Sequence, residues 1–158
     1  MNQLVNTQNE TVSRWVTFTL EDEVYGIDVM QVREVLRYTD ISPVPGAPPY
    51  VLGIINLRGK VVAIIDTRSR FDLPPTEPSD SSRILILEAS DHVVGFLVDS
   101  VSEVAELKND QIESAPDTGS GETNRFITGL YKRKDDLIIL VDSNRLLSED
   151  ELAELASI

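Results

Sequence analysis

The chain has 158 residues, a formal charge of −13 and a pI near 4.4, with 41% hydrophobic residues, 6% aromatic residues and no cysteine. That length suits one ordinary domain or two small lobes sharing an interface, and the composition suits an aliphatic core. The charge opposes nucleic acid and anionic lipid as partners, and the missing thiols exclude disulfides, thiol nucleophiles and thiolate metal sites.

In chain order, residues 1–13 are polar and read as a mobile tail. They lack a basic segment followed by an apolar one, and no later apolar run nears the roughly 18 residues that cross a bilayer, which predicts a cytoplasmic protein. Trp15 to Leu20 reads as a strand, turned by Glu21, Asp22 and Glu23 into a second strand over Val24 to Val29. Val29, Val32, Val35 and Leu36 continue an apolar series that suits one helical turn followed by a third strand. The Pro-rich stretch from Ser42 to Pro49 is a connector, because proline removes backbone donors and restricts the residue before it.

Gly53 to Asp66 carries two β-branched runs around the polar corner Asn56-Leu57-Arg58-Gly59, a hairpin pattern that leaves Arg58 projecting. Thr67 to Leu73 reads as a short helix with Asp66 as N-cap, stopped by Pro74 and Pro75 and followed by a linker over residues 76–82. The pattern then repeats. Gly26, Val29, Val32, Glu34 and Val35 match Gly95, Val98, Val101, Glu103 and Val104 at an offset of 69 positions. Gly53, the run Val61 to Ile65 and Asp66 match Gly129, Leu137 to Val141 and Asp142 at an offset of 76. The seven extra residues of the second copy are expected in the Gly-, Ser- and Thr-rich stretch 114–124. At the end, Ser148 followed by Glu151 is a capping box opening an amphipathic helix over residues 148–158.

Each repeat supplies about five strands, a number suited to a small closed barrel. The expected organisation is a mainly β domain over residues 14–147, made of two five-stranded subdomains at about 14–75 and 83–147 with a groove between them. Catalysis finds little support. Asp66-Thr67 and Asp142-Ser143 resemble the paired aspartates of a two-lobed hydrolase, but Arg68 and Asn144 stand where the required glycine would be, so each Asp reads better as a helix cap. His92, the single histidine, falls in a polar turn without catalytic or metal-binding company. Lys132 to Asp136 reads as a solvated hairpin tip. The Asn56 to Gly59 corner is not kept in the second repeat, which suggests a task beyond turning the chain, while an internal salt bridge from Arg58 to Glu34 is the competing account.

Together, Val32-Arg33-Glu34-Val35, the run from Gly53 to Gly59 with the apolar strand behind it, and the run from Val94 to Val101 resemble the CheW family of chemosensory coupling proteins. The similarity runs from about Trp15 to the terminal helix. It implies two SH3-like five-stranded barrels and a non-catalytic adaptor that needs no cofactor or metal. It further implies that the adaptor joins the cytoplasmic tips of chemoreceptors to the regulatory domain of the histidine kinase CheA at membrane-associated arrays, where kinase and adaptor can alternate in rings; other copies of itself are a further candidate partner in such rings. Carried over from the family, receptor contacts fall on Val32, Glu34, Arg58 and Val104, and kinase contacts on Val29 and Gly53. A non-flagellar chemosensory system is the alternative setting.

Overall fold

The computed structural model describes residues 11–115 and 125–156. Strands β1 (Val12–Leu20) and β2 (Glu23–Asp28) form a hairpin, and a 3-10 turn at Val29–Gln31 leads into β3 (Val32–Arg37). Strands β4 (Val51–Leu57) and β5 (Lys60–Asp66) form the second hairpin, closed by helix α1 (Thr67–Arg70). The order then recurs as hairpin β6 (Arg83–Ala89) and β7 (His92–Val98), strand β8 (Ser100–Lys108) and a 3-10 turn at Asn109–Gln111. It continues with the short β9 (Glu113–Ser114), hairpin β10 (Ile127–Lys132) and β11 (Leu137–Val141), α2 (Ser143–Leu146) and α3 (Glu149–Ala156). Val12 and Ser13, expected in the tail, pair with Lys108 and Leu107 as the start of β1. Residues 1–10 of that tail, and 116–124 of the stretch expected to hold the insertion, lie outside the described residues.

The fold is mainly β, with one sheet ordered β3-β6-β7-β5-β4 and the other β8-β1-β2-β11-β10-β9, consistent with two SH3-like barrels. These sheets cut across the expected subdomain division. Hairpin β1–β2 leaves its own half of the chain and joins β8 and β11, while hairpin β6–β7 joins β3 and β5. Each barrel therefore contains strands from both repeats, and neither 14–75 nor 83–147 forms one alone. The exchange has four seams: the antiparallel pairs β1 with β8 and β3 with β6, and the parallel pairs β5 with β7 and β11 with β2. Local turn chemistry identifies a hairpin but does not say which distant strand its free edge will meet, and this is why the sequence pattern suggested consecutive barrels.

The exchange also organises the core. Ile55, Val62, Ile64, Ile84 and Ile86 fill one barrel, and Ala105, Leu107, Ile138 and Leu140 fill the other. Between them runs a larger shared core that takes Phe18, Leu20 and Ile27 from one sheet and Ile65, Leu87 and Phe96 from the other. Phe71 and Phe126 meet inside it with ring centroids 4.5 Å apart. Full burial of each such side chain contributes about 1.5–3 kcal/mol, so the shared layer, rather than either small barrel, holds the domain together.

Helix α3 is anchored on this layer by Leu152, which is buried. Its capping box forms as expected: the Glu151 amide donates to Ser148 Oγ at 3.1 Å, and the Ser148 amide donates to Glu151 Oε1 at 2.8 Å. Arg70 pairs with Glu151 and lies 5.3 Å from the Tyr50 ring centre, while the Tyr50 hydroxyl donates to Glu154 at 2.9 Å. Burial, with Glu154 beside it, pushes the Tyr50 phenol far above its ordinary range, so it stays protonated as a donor.

Candidate functional site

The β4–β5 corner is built by its own residues. Asn56 Oδ1 accepts from the Gly59 amide at 2.9 Å, which closes the turn and holds Arg58 in the left-handed region at φ 52°. From there Arg58 reaches across to β3. Its Nη1 donates to Glu34 Oε1 at 3.1 Å and its Nη2 to Glu34 Oε2 at 2.5 Å, a fork-to-fork pair. The hydrogen bonds from Arg58 hold the Glu34 carboxyl below the usual carboxylate range, and the same contact raises the guanidinium further. The internal salt bridge is therefore real. Arg58 nevertheless remains 69% exposed, so the donors it does not spend on Glu34 face solvent.

Glu34 and Arg58 line a concavity of about 460 Å³ together with Lys60, Val61 and Val93. Val61 and Val93 are exposed at 61% and 39%, an apolar wall beside a charged rim. Val32, at the start of the same β3, is half-buried and packs against the shared core.

The other barrel repeats the device. Arg133, in the β10–β11 corner, donates from Nη1 to Glu103 Oε2 at 3.0 Å, and Glu103 is the counterpart of Glu34 at the offset of 69. Arg133 also clamps Asp136, donating from Nε and Nη2 at 2.7 Å each, which lowers the Asp136 pKa. The corner expected to be a plain solvated tip thus makes its own arginine clasp. Unlike corner sequences do not by themselves mark Arg58 for a special task, because each hairpin delivers an arginine to the equivalent glutamate. Sequence reasoning missed Arg133 because it sits one place away from the Arg58 counterpart. The matched Glu103 and the Asp136 three residues on were the available signal.

Val104 lies with this second clasp. It is 55% exposed on β8 and lines a concavity of about 750 Å³ with Glu103, Tyr131, Arg133 and Lys134. The expected receptor set is therefore divided: Glu34 and Arg58 share one concavity, and Val104 lines another. Val29 sits in the 3-10 turn between the barrels, half-buried against the shared core. The neighbouring Gln31 spans to the far repeat, donating to Asp142 Oδ1 at 2.9 Å and accepting from the Ser143 amide at 3.1 Å. Gly53 is buried, and a Cβ there would stand 2.2 Å from the Ser42 carbonyl oxygen. Ser42 needs that approach to exchange two 2.9 Å hydrogen bonds with Ile54. The absence of a side chain at Gly53 thus has a structural cause.

Asp66 and Asp142 are helix caps, accepting from the Ser69 amide at 3.3 Å and the Asn144 amide at 2.9 Å. His92 opens β7 with Nδ1 2.9 Å from the Ser90 carbonyl, rather than lying in the turn. Arg68, two residues past the Asp66 cap, is buried. It donates to Asp99 Oδ2 at 2.5 Å and to the Pro74 carbonyl at 2.7 Å, and it pairs with Glu21 in the β1–β2 turn. Its counterpart Asn144 reaches the equivalent turn, accepting from the Ser90 amide at 2.8 Å. Both repeats thus tie a helix to the exchanged hairpin, one through charges and one through a neutral amide.

Comparison with known proteins decides the family. Residues 14–151 match the CheW-like domain model. The chain belongs to the CheW-like family. It is 36% identical to a chemotaxis protein CheW from Klebsiella aerogenes, covering 91% of this chain and 87% of that protein. It is 34% identical to a chemotaxis protein CheW from Bacillus subtilis, covering 89% and 90% respectively. A crystal structure of the scaffolding protein CheW from Thermoanaerobacter tengcongensis matches with a TM-score of 0.80 at 34% identity, covering 88% of this chain and 94% of that one. CheW-like proteins are non-catalytic chemotaxis scaffolds, in keeping with aspartates that serve as caps here. No helix among the described residues is long and apolar enough to cross a membrane.

Proposed function

We propose that this chemotaxis adaptor works in the cytoplasm at receptor arrays, coupling the cytoplasmic tips of chemoreceptors to the regulatory domain of the kinase CheA. The observation that carries the receptor half is the Glu34–Arg58 clasp standing over exposed Val61 and Val93. A receptor tip is helical. An apolar strip bordered by a guanidinium with spare donors accepts one helix face and fixes its rotation through charge-assisted hydrogen bonds. In this reading Val32, Glu34 and Arg58 form the receptor face. Val104 belongs to the second concavity and extends that face only where a receptor helix spans both barrels.

The kinase half is assigned to Val29 and to the surface that Gly53 supports. Gly53 acts through the backbone, by letting Ser42 lie against β4. Modest interfaces of this kind gain strength from repetition in an array, including contacts between copies of the adaptor, rather than from one large buried area. Receptor-dependent autophosphorylation of the kinase, measured with and without this chain, tests the whole assignment. Wild-type protein is expected to support it, and Arg58→Ala is expected to lower receptor coupling while leaving the thermal transition in place. Retained coupling in Arg58→Ala, or a collapse of its folding, would reject the receptor role of that side chain.

A further inference from the structure

The concavity beneath Arg58 does not end at Val61 and Val93. The same two valines also line a second hollow of about 230 Å³, whose other walls include Ile54, Ala63 and, from the last turn of α3, Leu155. The two hollows share Val61 and Val93 as a common apolar wall, and together they extend from the β4–β5 corner to the C-terminal helix, with His92 also lining the second.

Charge is concentrated at one end. Arg33, Arg58 and Lys60 all line the corner end, in a chain whose net charge is −13. Two of the three are already answered: Arg58 by Glu34, and Arg33 by Glu88 at 3.0 Å. Lys60 is exposed and has no ion pair among the described residues. After internal pairing, the corner hollow therefore keeps, among the described residues, one arginine or lysine charge without a carboxylate, placed beside exposed Val61 and Val93. Such a lysine has little reason to be there for stability, since an exposed, unpaired ammonium contributes almost nothing to folding.

We infer that the two hollows together take an amphipathic helix carrying an acidic side chain at the end that meets Lys60, followed by apolar side chains that lie on Val61 and Val93 and end against Leu155. Lys60 then fixes which end of the helix enters at the corner, because the reversed helix would leave the ammonium facing apolar groups and its own acid against the aliphatic wall of α3. This rests on the reading of the Glu34–Arg58 face as the receptor site, and it adds the polarity of the bound helix and the residue that sets it.

The test uses the full chain and a receptor cytoplasmic fragment, with affinity measured by calorimetry at low and at moderate salt. Lys60→Glu is expected to weaken binding about tenfold at low salt, and Lys60→Gln less, with the loss shrinking as salt is added. Lys60→Arg should bind like wild type. Lys108→Glu makes the same change in net charge at an exposed lysine outside the two hollows and should change affinity by less than about twofold. Circular dichroism checks that each variant is folded. Lys60→Glu binding within about twofold of wild type overturns the inference, as does an equal loss in Lys108→Glu, which would mean that net charge alone is being read. If wild-type protein fails to bind the fragment, the parent reading of the receptor face fails and the inference goes with it.

Discussion

At the β4–β5 corner one arginine meets one carboxylate and keeps most of its surface in water; at the β10–β11 corner one arginine meets two carboxylates and is 29% exposed. Both corners descend from one repeated unit and both clasp the matched glutamate, Glu34 on β3 and Glu103 on β8. The second uses its guanidinium up in holding its own hairpin, through Asp136, while the first leaves donors unspent beside an apolar wall. Duplication supplied two equivalent corners, and the difference in available hydrogen-bonding capacity, rather than the presence of an arginine, separates a docking candidate from a structural clasp.

The sharpest way to break the comparison is at the glycines behind the two hairpins. A Cβ at Gly53 would stand 2.2 Å from the Ser42 carbonyl oxygen, whereas one at Gly129 would stand 3.0 Å from the Glu113 carbonyl oxygen. Gly53→Ala must expel Ser42 from β4 and is expected to cost about 3 kcal/mol; Gly129→Ala needs only a small adjustment, costing about 1 kcal/mol. Urea unfolding of the two variants measures the difference. Equal losses would mean that the Ser42 bridge is not a fixed part of the first hairpin.

Next in size is the tie between helix and exchanged hairpin. Arg68→Ala leaves Glu21 and Asp99 without their cation. Those carboxylates are partly exposed and can hydrate, so the cost falls below that of a fully buried pair, at about 2–3 kcal/mol. Asn144→Ala removes one hydrogen bond to an exposed turn and should cost about 0.5–1 kcal/mol. A ranking in the opposite order in denaturant midpoints would show that the ionic tie adds nothing over the neutral one.

What could be read in advance, and what could not, follows the same division between local and distant. Offsets of 69 and 76 revealed the duplication, because hairpin residues, caps and glycines act over a few positions. Asp66, Ser148 and Glu151 take up the capping roles their neighbours suggested. The exchange of hairpins was invisible, since no turn signal records that β2 will lie parallel to β11. Glu34 with Arg58 was legible as a pair only as the competing account of the corner, from opposite charge and the donors of a guanidinium. Val104 was grouped with them by family resemblance alone, and the structure places it in the other concavity. Lys60 drew no notice because an exposed lysine becomes informative only once its neighbouring cations are seen to be neutralised.

The smallest expected effect concerns acid. Glu34 and Asp136 both have carboxyl pKa values below the ordinary range in the folded chain, mainly through hydrogen bonds from Arg58 and Arg133 respectively. A folded-state pKa below the unfolded one gives stability that is fully present above the unfolded value, about 4 for a carboxyl, and is lost as pH falls through the lowered one. Both clasps are therefore intact at neutral pH and open only below that ordinary value. Carboxyl chemical shifts followed by NMR should show Glu34 titrating at higher pH in Arg58→Ala with Asp136 unmoved, and the converse in Arg133→Ala. If Glu34 titrates alike in wild type and Arg58→Ala, the first clasp does not persist in solution, and the guanidinium is free to meet a partner without giving up an internal bond.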